Sequence, residues 1–292
     1  MNKITFFTPS YRGDVQRFLL LRQSINHFYK GKSKHIVVVP SSDESLFKEL
    51  CLTDPDVEVL LQNDFVDSIF YPTPLYIFIK RFFPNQTWRF QKYAGRPGWI
   101  IQQIVKLNIP LIVNEGPIVC LDSDIFFVRP FSDTDFKLNQ SDYTLYKATP
   151  KSETAKQQGH MEWARNFLGL EKGSTDHHYI TWPTVLYPDV IKELHQFIEK
   201  KYNIDWQQCL FNQPSISEYI LYGVFMEEIY KSKKTSTTTP PHNYIVWDNN
   251  SYISLFENLP KYVNSNLLVT LQSNLHIPSN VYEKRIRSEI FN

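Results

Sequence analysis

Ile118-Val119-Cys120-Leu121-Asp122-Ser123-Asp124-Ile125-Phe126-Phe127-Val128 is the stretch on which the reading of this chain turns. Four apolar residues lead into two carboxylates one residue apart, and apolar residues resume at once. A short apolar run bounded by turn formers, here Gly116-Pro117 and Arg129-Pro130, reads as a buried strand. Asp122 and Asp124 then fall at or just past the carboxyl end of a central strand, the edge where open α/β sheets bind ligands. Carboxylates in an apolar run are costly unless something positive neutralises them. A hard divalent cation, itself held by diphosphate oxygens, would do so. The bland account is a strand-end turn, in which Asp satisfies free backbone N–H groups.

Upstream, Lys3 to Thr8 predicts a first strand, followed by the hydroxyl-rich loop Thr8-Pro9-Ser10-Tyr11-Arg12-Gly13-Asp14. Phe18, Leu19, Arg22, Ile25 and Phe28 recur near helical spacing. His35 to Pro40 predicts a second buried strand, Ser41 and Glu44 stand at capping-box spacing, and Val57 to Leu61 predicts a third strand. Strand, helix, strand, helix, strand within about sixty residues argues for a right-handed parallel α/β unit. The first loop then lies at the same sheet edge as Asp122. No Gly-X-Gly-X-X-Gly occurs, so a dinucleotide fold has no support.

From Ser68 to Asn114 there is no Asp or Glu, while Lys80, Arg81, Arg89, Lys92, Arg96 and Lys106 all fall there among many aromatics. An anion site, a surface touching an anionic membrane, and an ordinary packed subdomain with snorkelling basic side chains all fit that composition. Ordinary packing is the expectation for most of the aromatics, and anion binding for Arg96 and Lys106. The helix predicted from Gly98 to near Pro110 puts Trp99, Gln102, Gln103 and Lys106 on one face, either lining a ligand site or solvated.

In the second half, Asp142 to Lys147 predicts a strand and His160 to Leu168 a helix. The adjacent His177 and His178 would point in different directions on a strand, and are taken as acceptor contacts rather than a metal pair. Pro188 to Tyr202 is an amphipathic helix. Ser215 and Glu218 have capping-box spacing, with Glu218 in the first turn of a helix. Lys231 to Pro241, polar and of low complexity, reads as a mobile loop and lid. Leu267 to Thr270 predicts a last strand.

The length of 292 residues and a hydrophobic content of 42% allow one large core, so disorder is excluded. The organisation expected is one domain, 1–292, with a nucleotide-sugar half at 1–130 and an acceptor half at 131–292. A net charge of +1 gives no drive toward nucleic acid. Cys51, Cys120 and Cys209 lack metal spacing and read as buried thiols in a reducing compartment. No run is long enough for a spanning helix or a signal segment, so a cytoplasmic protein is expected, with peripheral contact at the inner face of the membrane.

Asp122-Ser123-Asp124 after an apolar strand resembles the Asp-X-Asp signature of GT-A nucleotide-sugar glycosyltransferases. Four ordered blocks extend the resemblance: Gly98-Trp99 with Gln102-Gln103 and Lys106-Leu107; Leu121 to Asp124; Ser217-Glu218-Tyr219 with Leu221-Tyr222-Gly223; and Gln272-Ser273. Together they resemble a largely uncharacterised bacterial family of GT-A-type enzymes tied to surface and capsular polysaccharides. The resemblance implies a Rossmann-type central sheet flanked by helices, with a helical C-terminal half completing the acceptor side. It implies a UDP-linked or similar donor, a glycan or lipid-linked acceptor, and Mn2+ or Mg2+. Donor contacts would come from Thr8, Ser10, Tyr11, Asp43, Arg96, Gln103, Lys106, Asp122 and Ser123. Asp124 and Asp122 would hold the metal, with His276 as third ligand and Gln272 and Ser273 as its rivals. The family has His directly after the Gln-Ser pair, where this chain has Asn274. Glu218 would be the general base of an inverting enzyme, or would orient the acceptor in a retaining one. A helix N-terminus weakens a base, because the dipole favours the carboxylate. Two rivals remain. A haloacid-dehalogenase-like phosphatase also uses Asp-X-Asp, but Phe126 stands where it has Thr or Val. A degenerate, non-catalytic GT-A domain would bind a glycan or an assembly partner.

Overall fold

The computed structural model describes residues 4–138, 142–149, 155–173, 176–272, 275 and 277–291. In chain order the first half runs β1 (Ile4–Pro9), α1 (Val15–Phe28), β2 (Ser33–Val39), α2 (Glu44–Leu50), β3 (Val57–Leu61), α3 (Pro74–Phe82), α4 (Gly98–Leu107), α5 (Ile109–Ile112), β4 (Ile118–Cys120) and β5 (Ile125–Phe127). The second half runs β6 (Tyr143–Tyr146), α6 (Ala155–Leu168), β7 (Thr184–Leu186), α7 (Pro188–Tyr202), α8 (Trp206–Phe211), α9 (Glu218–Glu228), β8 (Thr235–Thr238), β9 (Asn243–Val246), α10 (Asn249–Glu257), α11 (Leu259–Ser265), β10 (Leu268–Leu271) and α12 (Ser279–Glu289).

The main sheet has the order β3-β2-β1-β4-β7. Its first four strands are parallel, and β7 closes the edge antiparallel to β4. The β-branched run Ile36-Val37-Val38-Val39 suits a strand covered on both faces. Alternation sends Phe7, Ile36, Val38, Ile118 and Cys120 into a core shared with α4, α7 and α9. Ile4, Phe6, Val119 and Leu121 point the other way, onto Phe127, Phe131 and Phe136. Val37 and Val39 pack on Phe18 and Phe47. After β3 the chain returns to place β4 beside β1, so strand order reverses between β1 and β4. In open α/β sheets a reversal of this kind marks the edge where ligands bind, here the carboxyl ends of β1 and β4.

The structure departs from the sequence expectations in four places. The apolar run Ile118–Val128 is two strands, not one: β4 lies in the main sheet, whereas β5 pairs antiparallel with β10 in a second sheet of order β5-β10-β9. Lys231–Pro241 is not a free lid, because β8 within it pairs in parallel with β6, Tyr143 opposite Thr235. The helix expected to run to near Pro110 stops at Leu107, and Pro110 sits in the first turn of α5, where its missing N–H costs nothing. Not all the aromatics of the 68–114 segment are packed: among the described residues Phe70 is buried, but Phe78, Phe82, Phe83 and Trp99 are exposed. No helix among the described residues is long and apolar enough to cross a membrane.

Candidate active site

The edge at the carboxyl ends of β1 and β4 is built from two loops and two helices. The backbone N–H of Leu121 donates to the Phe7 carbonyl at 2.9 Å, extending the β1–β4 pairing one residue beyond the strand. Pairing ends there, and Asp122 to Asp124 form the turn. The Leu271 N–H donates to the Asp124 carbonyl at 2.9 Å, which anchors the far side of the turn to the second sheet.

Lys106, in the last turn of α4, is the centre of the site. Its Nζ lies 3.0 Å from Asp122 Oδ1 and 2.9 Å from Glu218 Oε1. The Lys106 and Glu218 side chains are 7% and 6% exposed, while that of Asp122 is 35% exposed. The ammonium also sits 4.3 Å from the centroid of the Tyr219 ring. Burial by itself would discharge Lys106, but the carboxylates of Asp122 and Glu218 outweigh it and hold its pKa well above the usual lysine value. The other oxygen of Asp122 accepts from the Trp182 indole N–H at 2.8 Å. Burial pushes the Cys120 thiol up to about 12, so it is a neutral neighbour rather than a nucleophile. It receives the Tyr219 hydroxyl at 3.3 Å.

Glu218 is the first residue of α9, and Ser217 is its N-cap without a side-chain cap bond. The capping-box geometry suggested by Ser215 is therefore not formed. Instead the Glu218 N–H donates to Gln103 Oε1 at 3.3 Å. The polar stripe on α4 is thus divided: Gln103 and Lys106 are buried against α9, and Trp99 is exposed.

The first loop meets the turn through a hydroxyl pair, with Ser123 Oγ donating to Ser10 Oγ at 2.9 Å. Tyr11 beside it is exposed, its ring lying over Gly13, where an added Cβ would fall 2.4 Å from the ring. Asp43 is buried and does not cap α2. Its two oxygens take the backbone N–H and the Nε of Arg12, both at 2.8 Å, and so tie the loop after β2 to the loop after β1. Arg12 had no place in the sequence reading, although an Arg in a loop at that edge was the available signal. Thr8 is fully buried and shares a 2.9 Å hydrogen bond with His35 Nε2. Arg96 donates from Nη2 to the Gln213 carbonyl at 2.7 Å and faces the Phe211 ring. Lys106 therefore contacts the Asp-X-Asp turn through Asp122, whereas Arg96 is engaged elsewhere. Trp182 was also missed, because nothing local distinguishes an indole that reaches sixty residues back.

His177 and His178 make separate contacts, and only His178 takes part in strand-like pairing. His178 bridges Ala148 through the backbone, while His177 Nε2 lies 3.2 Å from the Tyr179 hydroxyl, which also donates to Glu227.

A divalent cation is the group that the resemblance to GT-A enzymes implies, and Asp122 and Asp124 are the residues that would hold it. Each oxygen of Asp122 takes a single N–H donor, which leaves a lone pair on each. Its one-third exposure turns part of the carboxylate toward solvent. Asp124 lines a small recess with Arg17, Ser123, Leu271 and Tyr282. Among the described residues no third His, Cys, Asp or Glu groups with them as a ligand. His276, and its rival Ser273, lie outside the described residues. Two carboxylates with phosphate and water oxygens completing the shell is a usual arrangement for a small hard cation.

The architecture is similar to that of two solved glycosyltransferases. The apo form of mouse xyloside xylosyltransferase 1 matches with a TM-score of 0.50 at 10% identity, over 95% of this chain and 100% of that one. Galactosyltransferase LgtC, solved in complex with donor and acceptor sugar analogues, matches with a TM-score of 0.51 at 10% identity, over 99% and 96%. At that identity the likeness is one of fold: a mixed α/β protein of the GT-A glycosyltransferase type. No curated protein matches the sequence. Residues 4–289 match the model of a family of unknown function, DUF6492, and the chain belongs to that family.

Proposed function

We propose that this protein is a glycosyltransferase, moving a sugar from a nucleotide diphosphate sugar, UDP-linked in the first instance, to a glycan or lipid-linked acceptor of a bacterial surface polysaccharide. The reaction would take place in the cytoplasm or at the inner face of the membrane. The observation that carries the proposal is Lys106, buried between Asp122 and Glu218 at the strand-order reversal of a GT-A fold. A buried cation aimed at an Asp-X-Asp turn is what a leaving diphosphate needs close by.

In this reading Asp124 and Asp122 hold Mn2+ or Mg2+, which supplies Lewis-acid neutralisation of the diphosphate when bound. Lys106 and the Trp182 indole fix the two oxygens of Asp122, so the carboxylate is oriented before any ligand arrives. Tyr11 offers a ring face to the base, while Ser10 and Ser123 offer hydroxyls to the ribose side. Glu218 holds Lys106. In an inverting course its second oxygen receives the acceptor proton, and in a retaining course it orients the acceptor. The reading keeps a division at residue 130, with donor contacts before it and the acceptor side after it.

Thermal-shift titration with UDP-, GDP- and CMP-linked sugars, with and without manganese, tests the proposal. A ligand bound only by the folded state raises the midpoint. One nucleotide class should shift it, with manganese required and the effect lost in Asp124→Ala. No shift with any donor would favour the non-catalytic domain.

A further inference from the structure

The side of the molecule carrying α3 has a surface that the transfer chemistry does not use. Of the nine residues of α3, only Ile79 is buried. Leu75, Ile77, Phe78 and Phe82, with Phe83 directly after the helix, are each 51–58% exposed. A helix this apolar ordinarily turns such residues into the core. Here they form an outward patch, with the Phe78 and Phe82 ring centroids 4.9 Å apart. Contiguous apolar surface of this kind marks a face that something covers.

The charges around it indicate what. Lys80 and Arg81 are exposed on the same helix, Arg81 lying 5.5 Å from the Phe82 ring centroid. No acidic residue occurs between Ser68 and Asn114, so nothing in that segment opposes their charge. Large aromatic and aliphatic side chains interleaved with unopposed basic ones suit the boundary between anionic headgroups and acyl chains. Protein interfaces enrich aromatics too, but deplete lysine. We infer that α3 and the turn after it dock onto an anionic lipid bilayer, the rings entering the headgroup boundary and Lys80 and Arg81 meeting lipid phosphates.

The Arg96 N–H donates to the Phe70 carbonyl at 2.8 Å, which ties the chain just before α4 to the chain just before α3. Trp99, also exposed, is the second residue of α4, and Lys106 lies seven residues further along that helix, about 10 Å of rise. A docked α3 would hold that end of α4 close to the membrane surface, where a lipid-linked acceptor presents its sugar. This gives a location to the acceptor named above, but the docking rests on the residues of α3 alone.

Sedimentation with vesicles tests it without donor or turnover. The protein is mixed with phosphatidylcholine vesicles, and with phosphatidylcholine vesicles containing phosphatidylglycerol, at low and physiological salt. Expected is partition onto the phosphatidylglycerol vesicles, weakened by salt. Phe78→Ser/Phe82→Ser and Lys80→Glu/Arg81→Glu should each reduce it by about tenfold or more with the thermal midpoint unchanged. Absence of partition, equal partition onto neutral vesicles, or partition retained by both variants would overturn the inference. So would light scattering that shows a dimer which Phe78→Ser/Phe82→Ser makes monomeric, since the face would then belong to a second copy. A donor-dependent thermal shift preserved in a variant that no longer binds vesicles separates this inference from the transfer reading.

Discussion

Replacing Lys106 with Met removes one ammonium and leaves two carboxylates without it. Lys106 and Glu218 meet at 2.9 Å with side chains 7% and 6% exposed, so solvent screens that contact little. Asp122, at 35%, is partly hydrated and contributes less. Breaking a buried pair by deleting one partner costs about 3–5 kcal/mol, most of it the uncompensated charge left behind. For a chain of this size each kcal/mol moves the midpoint by about 2–4 °C, so Lys106→Met should melt roughly 6–20 °C lower. The pH dependence follows from the raised pKa of Lys106. A base held above its unfolded value contributes fully below about pH 10.4 and loses that contribution as pH climbs through the folded value. The gap between wild type and Lys106→Met should therefore stay level from pH 7 to 9 and narrow only at higher pH. Denaturant unfolding of wild type, Lys106→Met, Glu218→Gln and the double variant closes a cycle. Glu218→Gln removes the opposing charge at constant volume, so the double variant should recover part of the loss, with a coupling of about 2 kcal/mol or more. A loss below about 1 kcal/mol in Lys106→Met, or single effects that simply add, would refute the buried-pair account.

Trp182→Phe should leave the fold intact but remove the N–H that fixes Asp122 Oδ2, costing about 1 kcal/mol and shrinking the donor-dependent midpoint shift; an unchanged shift would show that the indole does not orient the carboxylate. Burial, with Arg22 adding to it, holds the His35 pKa down at about 3, below the unfolded value of about 6.5. The unfolded chain therefore binds the extra proton between those limits, and stability should fall as pH drops from 6.5, by roughly 5 kcal/mol at pH 3 for this group. His35→Asn should flatten that slope by about 1.4 kcal/mol per pH unit in denaturant titrations, and an unaltered slope would exclude His35 as its source. Gly223→Ala would put a Cβ 2.1 Å from Tyr179 Cγ, a side chain fixed in the core, and should cost about 1–3 kcal/mol in unfolding free energy. A neutral result would mean that Tyr179 repacks.

Local pattern made β2, β3 and α7 legible within a residue or two, because each has a period that its own side chains settle. The position of Asp122 at the carboxyl end of a central strand was equally readable from the flanking apolar run. The split of Ile118–Val128 was not, since β5 is apolar for the same reason as β4 and only its distant partner β10 assigns it to another sheet. The pairing of β8 with β6 lay beyond any local signal, because Thr-Ser-Thr-Thr reads as a loop unless a partner strand arrives. In the site, Lys106 and Glu218 were each singled out, but by separate helix patterns, and their contact spans 112 residues. Arg12 and Trp182 escaped because they act through long-range hydrogen bonds that leave no periodic trace. Composition left this segment open between an anion site, a membrane-touching surface and ordinary packing, and the exposed face of α3 inverts the usual rule on which packing was expected.

Asp122, Ser123 and Asp124 are the short turn by which the chain leaves one sheet and enters another. Their spacing is therefore also a phase. One residue inserted between β4 and β5 would either carry Ile125 to Phe127 onto the wrong face of the second sheet or slide them along β10. The length of this turn is set from both ends, by β4 in the main sheet and β5 in the second. Directed lengthening of the turn should thus cost the protein its fold before it has any chance to change its chemistry.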